Sequence, residues 1–238
     1  MTHIRTERGG AVQALNAAGL TAAAVRHDCV LVVTHPVGDL VPPGAVLVEV
    51  HGGRPAPDPS QVTGLIALGT ERAVEQDPAF ALRVLVGIAI RALSPAVNDP
   101  TTAVQALNHI EAFLHTLGRT VLHAPYAIAD EHGLPRLVVP GRSWEEYLQL
   151  AVTEIRDYGA DATQVCRRLR ALLEGLLDAL PAERLPAVRA ELELLTASAE
   201  QRIGDPARRA TALTADRQGI GGHLMSPPAG PTDPAGPG

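Results

Sequence analysis

Apolar and polar positions change rhythm twice along the chain. From Gly10 to about Val50 the apolar residues come in short runs separated by turn formers. Ala11–Leu15 reads as a first strand, Asn16–Arg26 as an Ala-rich helix, and Cys29–Thr34 (CVLVVT) and Ala45–Val50 as β-branched runs of strand length. HPVGDLVPPG between the last two is a turn segment, and His51–Pro59 is a Gly/Pro linker. From Pro100 onward the spacing is helical. Ala103, Ala106, Leu107, Ile110, Leu114 and Leu117 form one stripe that Gly118 closes. A loop with short strand character near Leu137–Val139 interrupts the helices. Ser143-Trp144-Glu145-Glu146 is a capping box that opens a helix to about Tyr158, with Ser143 and Glu146 satisfying each other's backbone donors. Asp161-x-x-Gln164 starts another helix. After Pro181 a last one carries Leu185, Val188, Leu192, Leu195 and Ala199 at coiled-coil-like spacing, with Ile203 one position late.

The join between the two rhythms, Gly69 to Ala103, is the densest part. Asp77-Pro78 and Asp99-Pro100 are two copies of one helix-start signal, a carboxylate at the cap and a proline where no N–H is needed. After Pro78 the residues are apolar almost all round, which predicts a buried helix that Ser94-Pro95 ends. Arg83 and Arg91 interrupt it and share a face with Gly87. Two Arg on a buried helix need partners, and Glu71, Glu75, Asp77 and Asp99 are nearest in sequence. One reading is a capping and ion-pair network that fixes the turn. The other is a polar ligand pocket lined by Arg72, Arg91, Asn98 and Asp99.

These patterns predict an α+β architecture: a flexible N-terminus over 1–9, a small β-containing module over 10–57, a mainly helical domain over 58–203 and a disordered Gly/Pro-rich tail over 204–238. A hydrophobic content of 46% and a net charge of -6 suit an ordinary globular chain of 238 residues and argue against a nucleic-acid surface. All 20 basic residues are Arg. That closes Schiff-base lysine, phosphate-loop lysine and biotinyl or lipoyl attachment. Two distant cysteines, Cys29 and Cys166, suggest a reducing compartment, and composition points to the cytoplasm. The start lacks the apolar core of a signal peptide, and the longest apolar run, Ala79–Leu93, is too short for a bilayer.

Other candidate chemistry fails on spacing. His27-Asp28-Cys29 has the residue types of a nucleophilic triad, yet consecutive residues do not converge on one point. Glu111 and His115 stand one turn apart and supply two metal ligands, fewer than a site needs. His35 and His51 flank the turn segment without a third ligand, and His109, His123 and His132 show no zinc-type spacing. No catalytic residues, metal or cofactor are expected.

GGAVQALN, VGDLVPPGAVL and LGTERAVEQDPAFALRVLVGIAIRALSPAVNDPTTAVQAL together resemble the soluble part of bacterial predicted membrane proteins, domain-of-unknown-function family 2254. The resemblance runs from about Gly10 to Ile203, and ALSPAVNDPTTA is its most specific part. In that family the soluble region follows several membrane-spanning helices, so this stretch corresponds to a dissected copy or a soluble paralogue. The family carries no established activity, so no catalytic residue is implied. It implies Asp where this chain has Gly87. Separately, Gly38-Asp39-x-Val41-x-x-Gly44-x-x-Leu47 resembles the strand-turn-strand element of barrel-sandwich domains such as lipoyl carriers, although no Lys is present to carry a group. The function expected is a non-enzymatic binding or regulatory module that belongs with a membrane protein, as a partner or through a membrane-spanning segment. The alternatives are a homo-oligomer built on the last helix, and an enzyme or receptor for a small anionic ligand at the Arg72/Arg91/Asp99 turn.

Overall fold

The computed structural model describes residues 1–53, 55–71, 77–122 and 124–221. Its strands are β1 (Thr2–Arg5), β2 (Gly10–Leu15), β3 (Cys29–Val33), β4 (Leu40–Val41), β5 (Val46–Gly52), β6 (Ile66–Gly69), β7 (Tyr126–Ala129) and β8 (Pro135–Val139). Its helices are α1 (Ala17–Arg26), α2 (Pro59–Thr63), α3 (Pro78–Ala92), α4 (Pro100–Gly118), α5 (Trp144–Gly159), α6 (Thr163–Ala179), α7 (Leu185–Arg202) and α8 (Pro206–Ala212). The fold is α+β.

Burial alternates strictly in β3, which is the middle strand of a five-stranded sheet ordered β1-β5-β3-β8-β7. Its neighbours are antiparallel β5 and parallel β8, the latter in the register Leu31↔Leu137 and Val32↔Val138. A second sheet, β4-β2-β6, shares one apolar core with the first and with α1, including Ile4, Val12, Leu20, Leu31, Leu47, Ile66 and Leu137. A larger core fills the helical layer between α3, α4, α5, α6 and α7, with Trp144, Leu107, Leu148 and Ile155 almost wholly buried.

Three of the expected boundaries move. Residues 1–9 are not a loose lead: β1 pairs with β5 through His3↔Glu49 and Ile4↔Val48. The β module does not end at 57 either, because β6 pairs with β2 and the β7–β8 hairpin returns to the sheet from between two helices. Arg136 of β8 pins that hairpin. It donates to Asp130 of the hairpin turn at 2.8 Å and to Asp28 of the α1–β3 turn at 2.9 Å. The tail does not begin at 204. Asp205 caps α8 by accepting from Arg208 N, and α8 covers Cys166, Ala199 and Ile203. Asp216 then gathers the N–H groups of Gln218, Gly219 and Gly221 beside the Arg167 guanidinium. Residues 222–238, the rest of the expected tail, lie outside the described residues.

Two helix-end readings also change. Asp161 does not cap α6, which starts from Ala162 with no side-chain cap. Gly118 lies inside the last turn of α4, and its role is close packing. A Cβ there would meet both Leu180 methyls at 2.8 Å and the Trp144 ring at 3.2 Å. The stripe of α7 turns inward, with Val188, Leu195 and Ala199 buried in this chain's own core. Leu185 and Leu192 of the same stripe are partly buried against that core.

Candidate functional site

The α3–turn–α4 unit forms from local signals. Asp77 Oδ1 accepts from Phe80 N at 2.9 Å, and Asp99 Oδ1 accepts from Thr101 N and Thr102 N at 3.1 Å. Between them the chain folds back on itself: Asn98 N donates to Ser94 O and Asp99 N to Ala92 O, both at 2.8 Å. Asn98 takes φ +48 to allow this. Asn tolerates that left-handed conformation better than most side chains, which explains its place here.

The four expected ligand residues therefore have different standing. Asp99 is occupied as a cap, its second oxygen accepting from Thr102 Oγ1 at 2.5 Å. Asn98 is exposed and shapes the turn. Arg91 is exposed and makes no ion pair among the described residues, so it does not close a network with Asp99. Arg72, with Glu75, lies outside the described residues. Arg83 reaches across to Glu154 of α5 at 2.5 Å, a partner distant in sequence.

Thr102 and the backbone N–H groups hold the Asp99 carboxyl below the usual carboxylate range. Ser60 does the same for Asp58, and Arg136 with the hairpin amides does so for Asp130. A carboxyl lowered in the folded state gives stability that is present above its unfolded value, near about pH 4, and is lost as pH falls through the folded value. Thermal melts are thus expected to stay level from neutrality to about pH 5 and to drop below about pH 4. Asp99→Asn should remove part of that drop. A melting temperature still level near about pH 2 would refute the assignment.

The helix itself departs from expectation. It is not buried all round: Val84 is 45% exposed and Ile88 46%, and Val97 in the turn is 54% exposed. Together with Gly87, Arg91, Ala92, Asp99 and Thr102 they line an open groove of about 500 Å³. A Cβ on Gly87 would meet nothing within 4 Å. Gly87 therefore puts no side chain into the groove, four residues before Arg91. Sequence reading missed Val84 and Ile88 as surface residues. The available signal was Gly87 and Arg91, which mark the same helical face.

The other candidate clusters come apart. His27 Nδ1 lies against Pro55 O, Asp28 pairs with Arg136, and Cys29 is buried, where desolvation raises its thiol. Glu111 is the partner of Arg168, which also donates to Asn108 Oδ1 at 2.7 Å, and His115 stays 3.9 Å from the other Glu111 oxygen. His35 faces Asp39, and His51 faces Glu49. His123 lies outside the described residues. Among the described residues no group of three or more His, Cys, Asp or Glu side chains could hold a metal ion.

A family model described as "Predicted membrane protein (DUF2254)" matches residues 1–175. The chain is 33% identical over 201 residues to the uncharacterised protein Rv1290c of Mycobacterium tuberculosis and, to the same degree, to the uncharacterised protein Mb1321c of Mycobacterium bovis. Each alignment takes in 82% of this chain and 38% of the relative. No solved structure matches it. Among the described residues no helix is long and apolar enough to cross a membrane.

Proposed function

Because the chain belongs to this family of predicted membrane proteins of unknown function, we propose that it is a non-enzymatic docking module that seats an apolar helix of a membrane-embedded chain in the α3 groove. The supporting observation is the exposed stripe Val84, Gly87, Ile88 and Arg91. Its spacing of three and four residues is that of a helix face prepared for another helix. Gly87 is what close helix–helix approach asks for at such a face, since a missing side chain lets backbones come together. Arg91 asks the occupant for a carboxylate beside its apolar residues. A lipid surface fits less well, because the stripe is concave and the chain carries a net charge of -6.

Filling the groove tests this without threatening the fold. Gly87→Leu places its side chain in open space and replaces a weak helix former by a strong one. The variant is expected to melt no lower than the parent and yet to leave the membrane fraction of its host. A photo-reactive residue at Ile88 should crosslink to an integral membrane protein, and one at the distant exposed Val121 should not. A parent chain found wholly in the soluble fraction would overturn the proposal. So would an Ile88 adduct with a second copy or with lipid alone.

A further inference from the structure

A second cleft lies where the β module meets the helical layer. Two adjoining cavities, about 220 and 110 Å³, share Asp77, Ala79 and Arg142. The turn after β3 (Val37, Gly38), the start of α3, the β7–β8 hairpin (Tyr126) and the start of α5 (Tyr147) all contribute walls. Sites between structural layers are where small ligands most often bind.

Arg83 in the smaller cavity is taken by Glu154, but among the described residues three other polar groups of this cleft keep free hydrogen-bonding capacity. Arg142 is exposed and has no carboxylate partner among the described residues. Tyr147 is 8% exposed, and its hydroxyl makes no hydrogen bond to any described residue. Asp77 is 5% exposed: Oδ1 is used by Phe80 N, while Oδ2 takes no hydrogen bond from a described residue. Burial raises the Tyr147 hydroxyl, Arg142 draws it down and Asp77 pushes it up, so both charges are felt at that oxygen. Among the described residues the buried side-chain atoms without a partner are Thr21 Oγ1 and Arg184 Nε, so the Tyr147 hydroxyl and Asp77 Oδ2 are not sealed in but open onto the cleft, within reach of a ligand.

From this arrangement we infer that the cleft binds a small zwitterion, its carboxylate or phosphate on Arg142 and the Tyr147 hydroxyl and its ammonium on Asp77. A plain anion would meet Asp77 unfavourably, and a plain cation would meet Arg142. Opposite charges on one wall select a molecule that carries both. The combined space suits a molecule of amino-acid size. This site is separate from the α3 groove and does not depend on what docks there.

Calorimetric titration of the full chain with glycine, L-serine, L-glutamate and phosphoethanolamine tests the inference, with acetate, inorganic phosphate and methylammonium as controls. At least one zwitterion is expected to bind at least tenfold tighter than any control. Carboxylate and phosphate zwitterions compared side by side identify which anion Arg142 takes. Arg142→Ala, at an exposed position, should keep the parent's circular dichroism and lose at least tenfold in affinity. Tyr147→Phe, which deletes one oxygen, should lose several-fold. Silence from every zwitterion would overturn the inference, as would a control that binds equally well or an Arg142→Ala variant that binds like the parent.

Discussion

Glu191→Ala is expected to destabilise the protein by about 3–5 kcal/mol, because it strands a buried guanidinium. Glu191 on α7 is 5% exposed, and its partner Arg156 on α5 is 9% exposed. The remaining contact of Arg156 is Asp157 at 3.3 Å, whose own side chain is 58% exposed. Burial pushes the Glu191 carboxyl up and Arg156 draws it back, so the charged pair is held here against its own desolvation. The double variant Glu191→Leu with Arg156→Met should therefore recover most of the loss, since it removes both charges and keeps apolar volume. A chain of this size should show the single substitution as a fall in Tm of roughly 6–20 °C. Urea unfolding of parent, single and double variants separates the terms. A single variant within about 1 kcal/mol of the parent would mean that Arg156 finds water or another acceptor.

That pair also shows where sequence reading stops. The stripe on α7 was legible through Val188, Leu195 and Ala199, but the position between them went to Leu192, while the buried side chain is Glu191. The glutamate that turns inward here meets Arg156 of α5, a partner 35 residues away in sequence. Capping is the opposite case. Asp77, Asp99 and the Ser143–Glu146 box were legible because cap and partner sit within four residues. The same Asp-Pro signal also starts α2 at Asp58-Pro59 and α8 at Asp205-Pro206. There no long apolar run follows, so composition hid it inside a linker and a tail. The β3–β8 pairing joins Leu31 to Leu137, and no local pattern in PRLVV states which strand it will meet. The open face of α3 was illegible for a related reason. A helix that is apolar all round has no period, and only the placement of α4 and α5 decides which side stays bare.

Gly38→Ala is the other substitution with a large expected effect, about 2–4 kcal/mol, and it links the turn after β3 to the zwitterion cleft. Gly38 has φ +93 and follows Val37 in a turn closed by Asp39 N to Pro36 O, the position where such turns require glycine. Backbone strain alone accounts for about 1–2 kcal/mol. The added Cβ would also lie 2.1 Å from Asp77 Oδ2, so the carboxylate must leave its place at the start of α3. Losing that cap adds about 1 kcal/mol or more. Gly44→Ala separates the two costs, because Gly44 has φ +81 and open space around its would-be Cβ. It should show the strain without the collision. Asp77→Ser gives the second control: a shorter side chain still caps a helix and clears the space. In that background Gly38→Ala should cost at least about 1 kcal/mol less than in the parent, a coupling that distant sites do not show. Equal costs in both backgrounds would mean that the turn and the cap are independent, and the wall of the cleft at Asp77 would then owe nothing to Gly38.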